Sequence, residues 1–414
     1  MSDTRQPFAV YAITRHGIDI ARRLMPELEG ADLYVSEKLF SGAPSGARPL
    51  PLPMGPMLAD AFTAYDCHVF IISVGAVVRM VAPFLKNKKV DPAVVCVDDA
   101  ARFSICVLSG HVGRGNVFTD RVARALGAVS VVTTASDAIG TLTVDILGRD
   151  FGWTLDDVDR NVTRGCAAVV NATQVLFVQE TGEPGFWPED KPLPEGVRYA
   201  TSLDGVDPRA FEILLIATDR EIRETHPGAW DNAVIYRPKS LVLGLGCDKG
   251  AAPDMVERGV LALLAEHRLS AKSVKAIASI DKKKDEAAFL TLGEKYGWPF
   301  IVYTAEELRS VEGTENPSDI VQKHVGTPGV AEPSALRAAG ARELVVPKRI
   351  YTEPGAERSM TLAVARVPFA KRRSVEKPSR EHAANAPPGP SPNAPHGAAP
   401  VATESVKDRE VGHG

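Results

Sequence analysis

Three short apolar runs between positions 69 and 137 each end at glycine, serine or threonine. The runs occupy residues 69–72, Phe103–Leu108 and 130–132. Helical patterns follow two of them, at 76–85 and 116–126. Apolar runs of this length, bounded by small polar residues, are typical of buried parallel strands. Because ligands bind beyond the carboxyl ends of such strands, the polar residues there are the first candidates for a functional site.

The composition is that of an ordinary globular protein, with 44% apolar and 24% charged residues over 414 positions. The net charge of −4 gives no reason to expect nucleic-acid binding, and no apolar run has the length of a membrane span. The first residues lack a signal-peptide layout, and the five cysteines are scattered without a C-x-x-C pair. These features predict a reduced, cytoplasmic protein with no membrane partner, no disulfide and no cysteine metal site.

The order of strand-like and helix-like segments predicts an α/β fold with two three-layer α/β/α domains and largely parallel sheets. The first domain covers residues 1–137 with five or six strands, and the last covers 240–368, closing with strands near 344–347 and 360–367. A smaller α+β middle domain, 138–239, joins them. Helices are expected in the middle domain at 139–151 and 155–170. In the last domain a helix is expected at 320–325. The remaining 369–414 is proline-rich and is predicted to be disordered.

One segment, SGHVGRGN at 109–116, lies between a strand and a helix and contains the strongest candidate residue. Gly110 lets the backbone approach a ligand, and the N–H groups that begin a helix favour an anion. His111 is a candidate general base because its ordinary pKa is about 6.5. A tight turn with a capping or packing histidine explains the same residues, so both interpretations stay open. The segment lacks the full G-x-G-x-x-G spacing of a dinucleotide site.

Other polar residues of the first domain have two interpretations each. Arg79, four residues after Gly75, could bind a carboxylate or simply face solvent. Asp98 and Asp99 could share a proton, although a solvated turn explains them better. The hydroxyl-rich strand end at 133–137 suits a polar ligand, and it also suits the cap of the next helix.

The last domain repeats the arrangement of a strand followed by a glycine turn. Gly246 and Lys249 belong to GLGCDKG at 244–250, which could shape an anion-binding loop. Lys282 and Lys283 follow the next strand, where they could hold a polyanionic ligand or form a solvated face. Cys247 has no histidine beside it, so a nucleophilic role is not favoured. From the residues alone, the chain is an α/β protein that binds an anionic small molecule between two α/β units.

Several of these segments together resemble the CbiG family, the cobalt-precorrin-5A hydrolases of cobalamin biosynthesis. The matching segments are VGAVVR at 74–79, APFLK at 82–86, DPAVV at 91–95, LSGH at 108–111, Asn116, TTASD at 133–137, GLGCDKG at 244–250, ASIDKK at 278–283, GTPGVAE at 326–332 and VPK at 346–348. The resemblance extends over nearly all of residues 8–367. Arg114, where a small residue is expected, and the proline-rich tail depart from the family pattern.

The resemblance implies a reaction on a cobalt-bound tetrapyrrole that carries a δ-lactone. Water opens the lactone, acetaldehyde leaves, and cobalt-precorrin-5B is the product. No cofactor bound by protein side chains is implied, because the cobalt travels in the anionic substrate. Transient contact with neighbouring corrinoid methyltransferases and a homodimer are further expectations.

The resemblance also extends the list of candidate site residues. The catalytic candidates are His111, as the base, and Glu332, which could equally be an ordinary acidic residue in the first turn of a helix. The backbone amides of Gly110 and of residues 113–116 are candidate oxyanion donors. The substrate-binding candidates are Gly75, Arg79, Ser109, Gly110, Asn116, Thr133, Thr134, Asp137, Gly246, Lys249, Lys282, Lys283, Thr327 and Gly329.

Two functions of other classes stay open. A non-enzymatic carrier of corrinoid intermediates would bind the same ligand without turnover. A nucleotide-binding sensor is a second alternative, and the missing P-loop and dinucleotide fingerprint argue against it.

Overall fold

The computed structural model describes residues 5–316, 326–355 and 357–370. In this part of the chain, three β-sheets with helices on their faces form an α/β fold with mixed sheets. The helix predicted at 320–325 and most of the tail predicted to be disordered lie outside the described residues. The domain boundaries stay predictions. No helix in the described ranges is long and apolar enough to cross a membrane.

The first sheet has seven strands in the order β3-β2-β1-β4-β5-β6-β7, more than the predicted five or six. The strands are β1 Gln6–Ala12, β2 Ala31–Ser36, β3 Arg48–Leu50, β4 Tyr65–Ile71, β5 Ala93–Val97, β6 Phe103–Leu108 and β7 Val129–Val131. The helices are α1 Arg15–Leu24, α2 Gly55–Ala61, α3 Val74–Val81, α4 Gly115–Leu126 and α5 Ala135–Ile139. Apolar side chains pack on both faces of the sheet, for example Val10 and Leu24 on one face and Phe70 and Val77 on the other. Burial on both faces explains why these strands are continuous apolar runs in the sequence.

The direction of β6 corrects the prediction that the apolar runs are all parallel. Strand β6 runs antiparallel to β5, with Val94 opposite Leu108 and Val97 opposite Ser104. Only residues 98–102 connect the two strands, and a parallel connection needs a dozen or more. The Asp98 carboxylate stabilises this turn by accepting the backbone N–H groups of Arg102 and Phe103, both at 2.7 Å.

The reversal divides the predicted polar strand ends between two edges of the sheet. Strand β7 is parallel to β6, so residues 109–111 and 133–134 lie together at one edge. Strands β1, β4 and β5 are parallel to one another and end at the opposite edge. Gly75 and Arg79, which follow β4, are therefore at the edge opposite His111.

The middle region contains five strands in the order β10-β9-β11-β12-β8. The strands are β8 Thr154–Leu155, β9 Val175–Gln179, β10 Val197–Ala200, β11 Ile213–Ala217 and β12 Ala233–Arg237, and the helices are α6 Val162–Val170 and α7 Pro227–Asp231. All neighbours are parallel except β8 and β12. This region is therefore α/β, and the prediction of an α+β domain is wrong.

Two predicted helices of the middle region are also wrong in extent. Residues 139–151 contain the end of α5 and two single 3₁₀ turns, and 155–170 is helical only from Val162. Gly148 and Gly152 adopt positive φ angles of 73° and 79°, which an α-helix cannot continue through. The result is a compact turn region that brings polar side chains against the first sheet.

The third sheet has the order β15-β14-β13-β17-β16. The strands are β13 Leu241–Cys247, β14 Val274–Ile280, β15 Phe300–Tyr303, β16 Leu344–Thr352 and β17 Ser359–Arg366, and the helices are α8 Pro253–Glu266, α9 Ala287–Tyr296, α10 Ala305–Arg309 and α11 Ala331–Ala339. Strands β13, β14 and β15 are parallel, whereas β17 is antiparallel to both of its neighbours. This sheet is mixed rather than largely parallel, and β16 extends beyond the predicted strand end at 347.

The middle region contacts both of the other sheets. The Lys89 ammonium, just before β5, pairs with Asp159 and donates to the Val158 carbonyl. On the other side, the buried Asp219 carboxylate accepts two bonds from Arg366, at 2.7 and 2.9 Å. Because Arg366 pairs with Leu241 in the sheet, this contact lies at the start of β13.

Candidate active site

The loop from Leu108 to Asn116 folds into a tight turn that requires glycine at two positions. A Cβ on Gly110 would lie 2.6 Å from Asn116 Oδ1, and one on Gly115 would lie 2.7 Å from the Leu108 carbonyl oxygen. The N–H groups of Gly115 and Asn116 donate to the carbonyls of Ser109 and Gly110, at 2.9 and 3.0 Å. The glycines therefore serve the turn itself as well as any ligand.

This geometry corrects part of the predicted oxyanion hole. The amides of Gly115 and Asn116 are used within the loop, and the Arg114 amide donates to the His111 carbonyl at 3.0 Å. Of the predicted donors, only the amides of Gly110 and Gly113 remain candidates. The unexpected Arg114 adopts a positive φ of 63° and places its guanidinium over the Phe118 ring.

The His111 imidazole lies between two carboxylates. Its Nε2 is 2.6 Å from Asp137 Oδ2, and its Nδ1 is 3.3 Å from Asp145 Oδ1. The Ser136 hydroxyl is 3.3 Å from Nε2. Asp145 comes from the middle region, in the short turn Val144–Ile146. The pKa of His111 is raised, chiefly by Asp145 and also by Asp137, and burial opposes this only in part.

Three donors converge on one oxygen of Asp137. Besides His111, the Thr134 hydroxyl donates to Oδ2 at 2.6 Å and the Asn116 carboxamide donates to it at 2.9 Å. Burial alone would raise the pKa of Asp137, but the bonds from Thr134 and His111 outweigh it and lower the pKa. We call His111, Asn116, Thr134, Asp137 and Asp145 the site cluster.

Arg149 fixes the histidine from the middle region. Its guanidinium donates to the carbonyls of Val112 and His111, both at 2.9 Å. Sequence reasoning misses Asp145 and Arg149, because it assigns them to a helix. The turn glycine Gly148 is the one signal that points to a break there.

Predicted residues beside the site cluster have different environments. Ser109 donates its hydroxyl to the Asp91 carbonyl at 3.0 Å, a bond that ties the loop to the chain before β5. Thr133 is exposed. At the other edge of the sheet, the Arg79 guanidinium donates to the carbonyl of Gly75 at 3.0 Å, so it contacts its own helix.

A second histidine–aspartate pair lies at that other edge. Asp99 accepts the Thr14 hydroxyl at 2.6 Å and lies 3.2 Å from His16 Nδ1. We call Thr14, His16 and Asp99 the edge cluster. Asp98 and Asp99 bind different partners and do not share a proton, as the interpretation as a turn predicts. An open groove of about 610 Å³ runs past His16, Asp98, Asp99, Ala100 and Arg102.

The candidates of the last domain gather at the carboxyl end of β13. Lys283 donates to Glu286 at 2.7 Å, and its ammonium is 3.7 Å from the Cys247 sulfur. Burial raises the pKa of Cys247 to about 11, which leaves it a thiol rather than a nucleophile at neutral pH. Gly246 is needed because a Cβ there would lie 2.7 Å from Thr361 Oγ1.

The other four candidates, Lys249, Lys282, Thr327 and Gly329, are part of turns near the same end of the sheet. Lys249 follows β13, and Lys282 is in the 3₁₀ turn Asp281–Lys283 that follows β14. Thr327 is buried and donates its hydroxyl to the Gly329 carbonyl at 3.1 Å. Lys249 and Lys282 follow the carboxyl ends of β13 and β14, whereas the middle region contacts this sheet at the start of β13.

Glu332 has the environment of a structural carboxylate. Its side chain is buried, and it accepts the backbone N–H groups of Glu315, Asn316 and Lys348 and the Asn316 carboxamide, all at 2.8–2.9 Å. Burial would raise its pKa, but these bonds lower it. A buried carboxylate with both oxygens occupied cannot exchange protons with a substrate, so we withdraw the catalytic prediction for Glu332.

The site cluster can move protons at a surface. It offers an exposed carboxylate beside a half-buried imidazole, and both are residue types that general acid–base catalysis uses. No group of three or more His, Cys, Asp and Glu residues in the described ranges is arranged to hold a metal ion. The fold is that of an α/β protein, and the site cluster is its candidate acid–base site.

Comparison with known proteins gives the family. Sequence profiles described as cobalamin synthesis G N-terminal, cobalamin biosynthesis central region and cobalamin synthesis G C-terminus match residues 56–137, 142–238 and 241–365. The chain is 39% identical over 367 residues to the cobalt-precorrin-5A hydrolase of Priestia megaterium, covering 88% of this chain and 96% of that one. It therefore belongs to the CbiG family of cobalamin biosynthesis proteins.

Two further relatives span most of the chain. The cobalt-precorrin-5A hydrolase of Salmonella typhimurium is 28% identical over 336 residues, covering 80% of this chain and 91% of that one. A solved cobalamin biosynthesis protein G homolog from Sulfolobus solfataricus is 19% identical, covers 88% of this chain and 98% of that one, and has a TM-score of 0.34.

Proposed function

We propose that the protein is a cobalt-precorrin-5A hydrolase, which opens the substrate's δ-lactone with water and releases acetaldehyde to give cobalt-precorrin-5B. The full-length similarity to relatives of that name supports the assignment. The observation that carries it in the structure is the Asp137–His111 pair, with a contact of 2.6 Å between an exposed carboxylate and a half-buried imidazole.

The reaction needs only water and proton transfers. Lactone opening takes a proton from water as its oxygen attacks the carbonyl carbon, and returns a proton to the ring oxygen when that C–O bond breaks. The freed hydroxyl then loses its proton, the neighbouring C–C bond breaks, acetaldehyde forms, and the electron pair and a proton go to the macrocycle. A site built from a carboxylate and an imidazole supplies these transfers.

The cobalt belongs to the substrate in this proposal, and the protein's side chains hold no cofactor. Ser109, Gly110, Asn116, Thr133 and Thr134 are the proposed contacts at the lactone end. Asn116 and Thr134 donate to Asp137, and the other three lie within two residues of the site cluster along the chain. The amides of Gly110 and Gly113 are the proposed oxyanion donors.

Candidates away from the site cluster form other proposed surfaces for substrate carboxylates. They are Gly75, Arg79, Gly246, Lys249, Lys282, Lys283, Thr327 and Gly329. Methyltransferase contact, a homodimer and a cytoplasmic location stay predictions.

The deciding experiment mixes purified protein with enzymatically prepared cobalt-precorrin-5A and measures acetaldehyde. We expect one acetaldehyde per substrate, at a rate proportional to the protein added. Tight binding without release would instead identify a corrinoid carrier. A thermal shift with nucleotides and none with the corrinoid would identify the sensor.

A further inference from the structure

Resting on that proposed function, we propose that Asp137 is the base that activates water, and that His111 and Asp145 are its positioning pair. This assignment exchanges the roles suggested by the sequence, where the histidine is the base and the aspartate only binds substrate. The new assignment depends on three features of the cluster. They are the side chain that a substrate can reach, the imidazole and carboxylate atoms that already have a hydrogen-bond partner, and the positive charge on His111.

The exposed fraction of the side chain is highest for Asp137 and lower for His111 and Asp145. The Asp137 side chain is 44% exposed, whereas those of His111 and Asp145 are 17% and 14% exposed. A tetrapyrrole is too large to enter behind Asp137, so its lactone can meet only the outermost group. Of these three groups, Asp137 is therefore the one that the lactone reaches.

His111 has no ring nitrogen available for water. Nε2 faces Asp137 at 2.6 Å and Nδ1 faces Asp145 at 3.3 Å. Arg149 donates to the backbone carbonyl of His111 at 2.9 Å, which fixes the backbone from which the ring extends. To act as a base, His111 would have to break one of the contacts that define the cluster.

Asp137, by contrast, has one oxygen fixed and one oxygen open. The donors His111, Asn116 and Thr134 all bind Oδ2. No hydrogen bond from a residue within 5–316, 326–355 or 357–370 is directed to Oδ1. Three donors on one oxygen set the plane of the carboxylate, which aims the lone pairs of the other oxygen.

The buried end of the cluster requires a positive histidine. Asp145 Oδ1 is buried and has no aligned hydrogen-bond donor in the described part of the chain. A buried carboxylate oxygen without a donor is costly unless a cation lies beside it, and His111 is that neighbour. The charged or titratable groups facing His111 are Asp137, Asp145 and Arg149. Cys106 lies near Asp137, and Cys166 and Tyr236 lie near Asp145. The raised pKa of His111 agrees with an imidazolium.

The resulting step balances. Asp137 Oδ1 takes a proton from water as the water oxygen bonds to the lactone carbonyl carbon. The ring C–O bond then breaks, and its oxygen takes the proton back from Asp137. His111 stays protonated throughout and holds Oδ2 in place.

The test compares two aspartates of similar exposure in the full-length protein. Asp137→Asn keeps the shape but removes the base, and we expect kcat for acetaldehyde release to fall about a thousandfold with little change in KM. Asp99→Asn is the matched control, since Asp99 is 46% exposed and also bound to a histidine and a threonine. Its kcat should stay within about twofold of wild type, in keeping with a surface site. Circular dichroism and thermal melting verify that both variants fold.

A pH profile of the wild-type protein tests the same proposal without any variant. With a protonated His111 required, kcat/KM should be level between about pH 5 and 6.5 and should fall on the alkaline side. An increase in kcat/KM from pH 6 to 8 would show that His111 must lose its proton, which would overturn the proposal. So would a folded Asp137→Asn variant that keeps kcat within threefold, or an equal loss in both variants.

Failure of the two proposals can be told apart. If the wild-type protein binds the corrinoid and releases no acetaldehyde, the hydrolase function and this assignment fall together. If the wild-type protein is active and Asp137→Asn is equally active, only the assignment fails.

Discussion

The site cluster and the edge cluster are built from the same residue types at opposite edges of one sheet. Each has a threonine hydroxyl 2.6 Å from an aspartate oxygen and a histidine within 3.2 Å of that aspartate. The aspartates are equally exposed, at 44% and 46%, but His111 is 17% exposed and His16 is 78% exposed. The clusters differ in the residues that contact the less exposed side of the histidine.

That difference comes from the middle region. It supplies Asp145 and Arg149 to the site cluster, and neither has a counterpart in the described surroundings of the edge cluster. A histidine next to an aspartate is thus insufficient to identify a catalytic pair. The second carboxylate and the lower exposure of the ring distinguish the proposed acid–base site from the other pair.

After the Asp137 and Asp99 variants, the largest effect should come from removing each histidine in turn. His111→Asn should lower kcat about a hundredfold, because Asp137 loses the donor that orients it and a misplaced catalytic group costs about that much. His16→Asn should leave kcat within about twofold. Steady-state acetaldehyde release measures both. Equal losses would abolish the distinction between the clusters.

The next largest effect is on the free energy of unfolding, for which we compare alanine substitutions at two glycines. A Cβ at Gly110 would lie 2.6 Å from Asn116 Oδ1 and 2.9 Å from Thr134 Cγ2, whereas one at Gly75 would be 3.4 Å from the Arg79 guanidinium. Gly110→Ala should reduce the free energy of unfolding by about 1–3 kcal/mol, as overpacking usually does. Gly75→Ala should cost nothing measurable. Urea denaturation of both variants provides the comparison, and a stable Gly110→Ala protein would contradict the described loop.

Asp145→Asn should make the site cluster resemble the edge cluster by leaving one carboxylate on the histidine. The pKa of His111 should fall, because Asp145 contributes most to raising it. The alkaline decline of kcat/KM should move to lower pH, with about tenfold less activity at pH 8, equivalent to about 1.4 kcal/mol. A profile that superimposes on that of the wild-type protein would remove Asp145 from the mechanism.

The smallest effect is on stability. The pKa of His111 is raised in the folded protein, so its stabilisation is complete below the unfolded value near 6.5 and disappears as pH rises through the folded value. The pKa of Asp137 is lowered, so its contribution is present above about 3.9 and is lost in acid. The melting temperatures of wild type and His111→Asn should differ most near pH 5–6. The corresponding difference in the free energy of unfolding is on the order of 1 kcal/mol. A difference that grows towards pH 9 would contradict an imidazolium.

Local sequence patterns predicted the elements better than their directions. The apolar runs marked β4, β6 and β7, and the grouping of residues 109–116 with 133–137 follows from the parallel pairing of β6 and β7. The reversal at β6 could have been predicted, since residues 98–102 are too few for a crossover.

Other parts of the site could not be predicted from local patterns. Asp145 meets His111 through packing of the middle region on the first sheet, and no spacing in the sequence encodes that contact. The four donors to Glu332 come from residues 315, 316 and 348, which are distant from it along the chain. Hydrophobic periodicity places elements, but only tertiary contacts decide whether a carboxylate is structural or reactive.

The position of Asp145 and Arg149 in the chain has a consequence for the synthesis of the protein on the ribosome. A ribosome that has reached residue 137 has made every member of the site cluster except Asp145, yet His111 would then have only one carboxylate and no guanidinium holding its carbonyl. The acid–base site is completed only when the next dozen residues emerge and dock. The proposed site is therefore complete only after the two regions have assembled, and a nascent or truncated first sheet would lack Asp145 and Arg149.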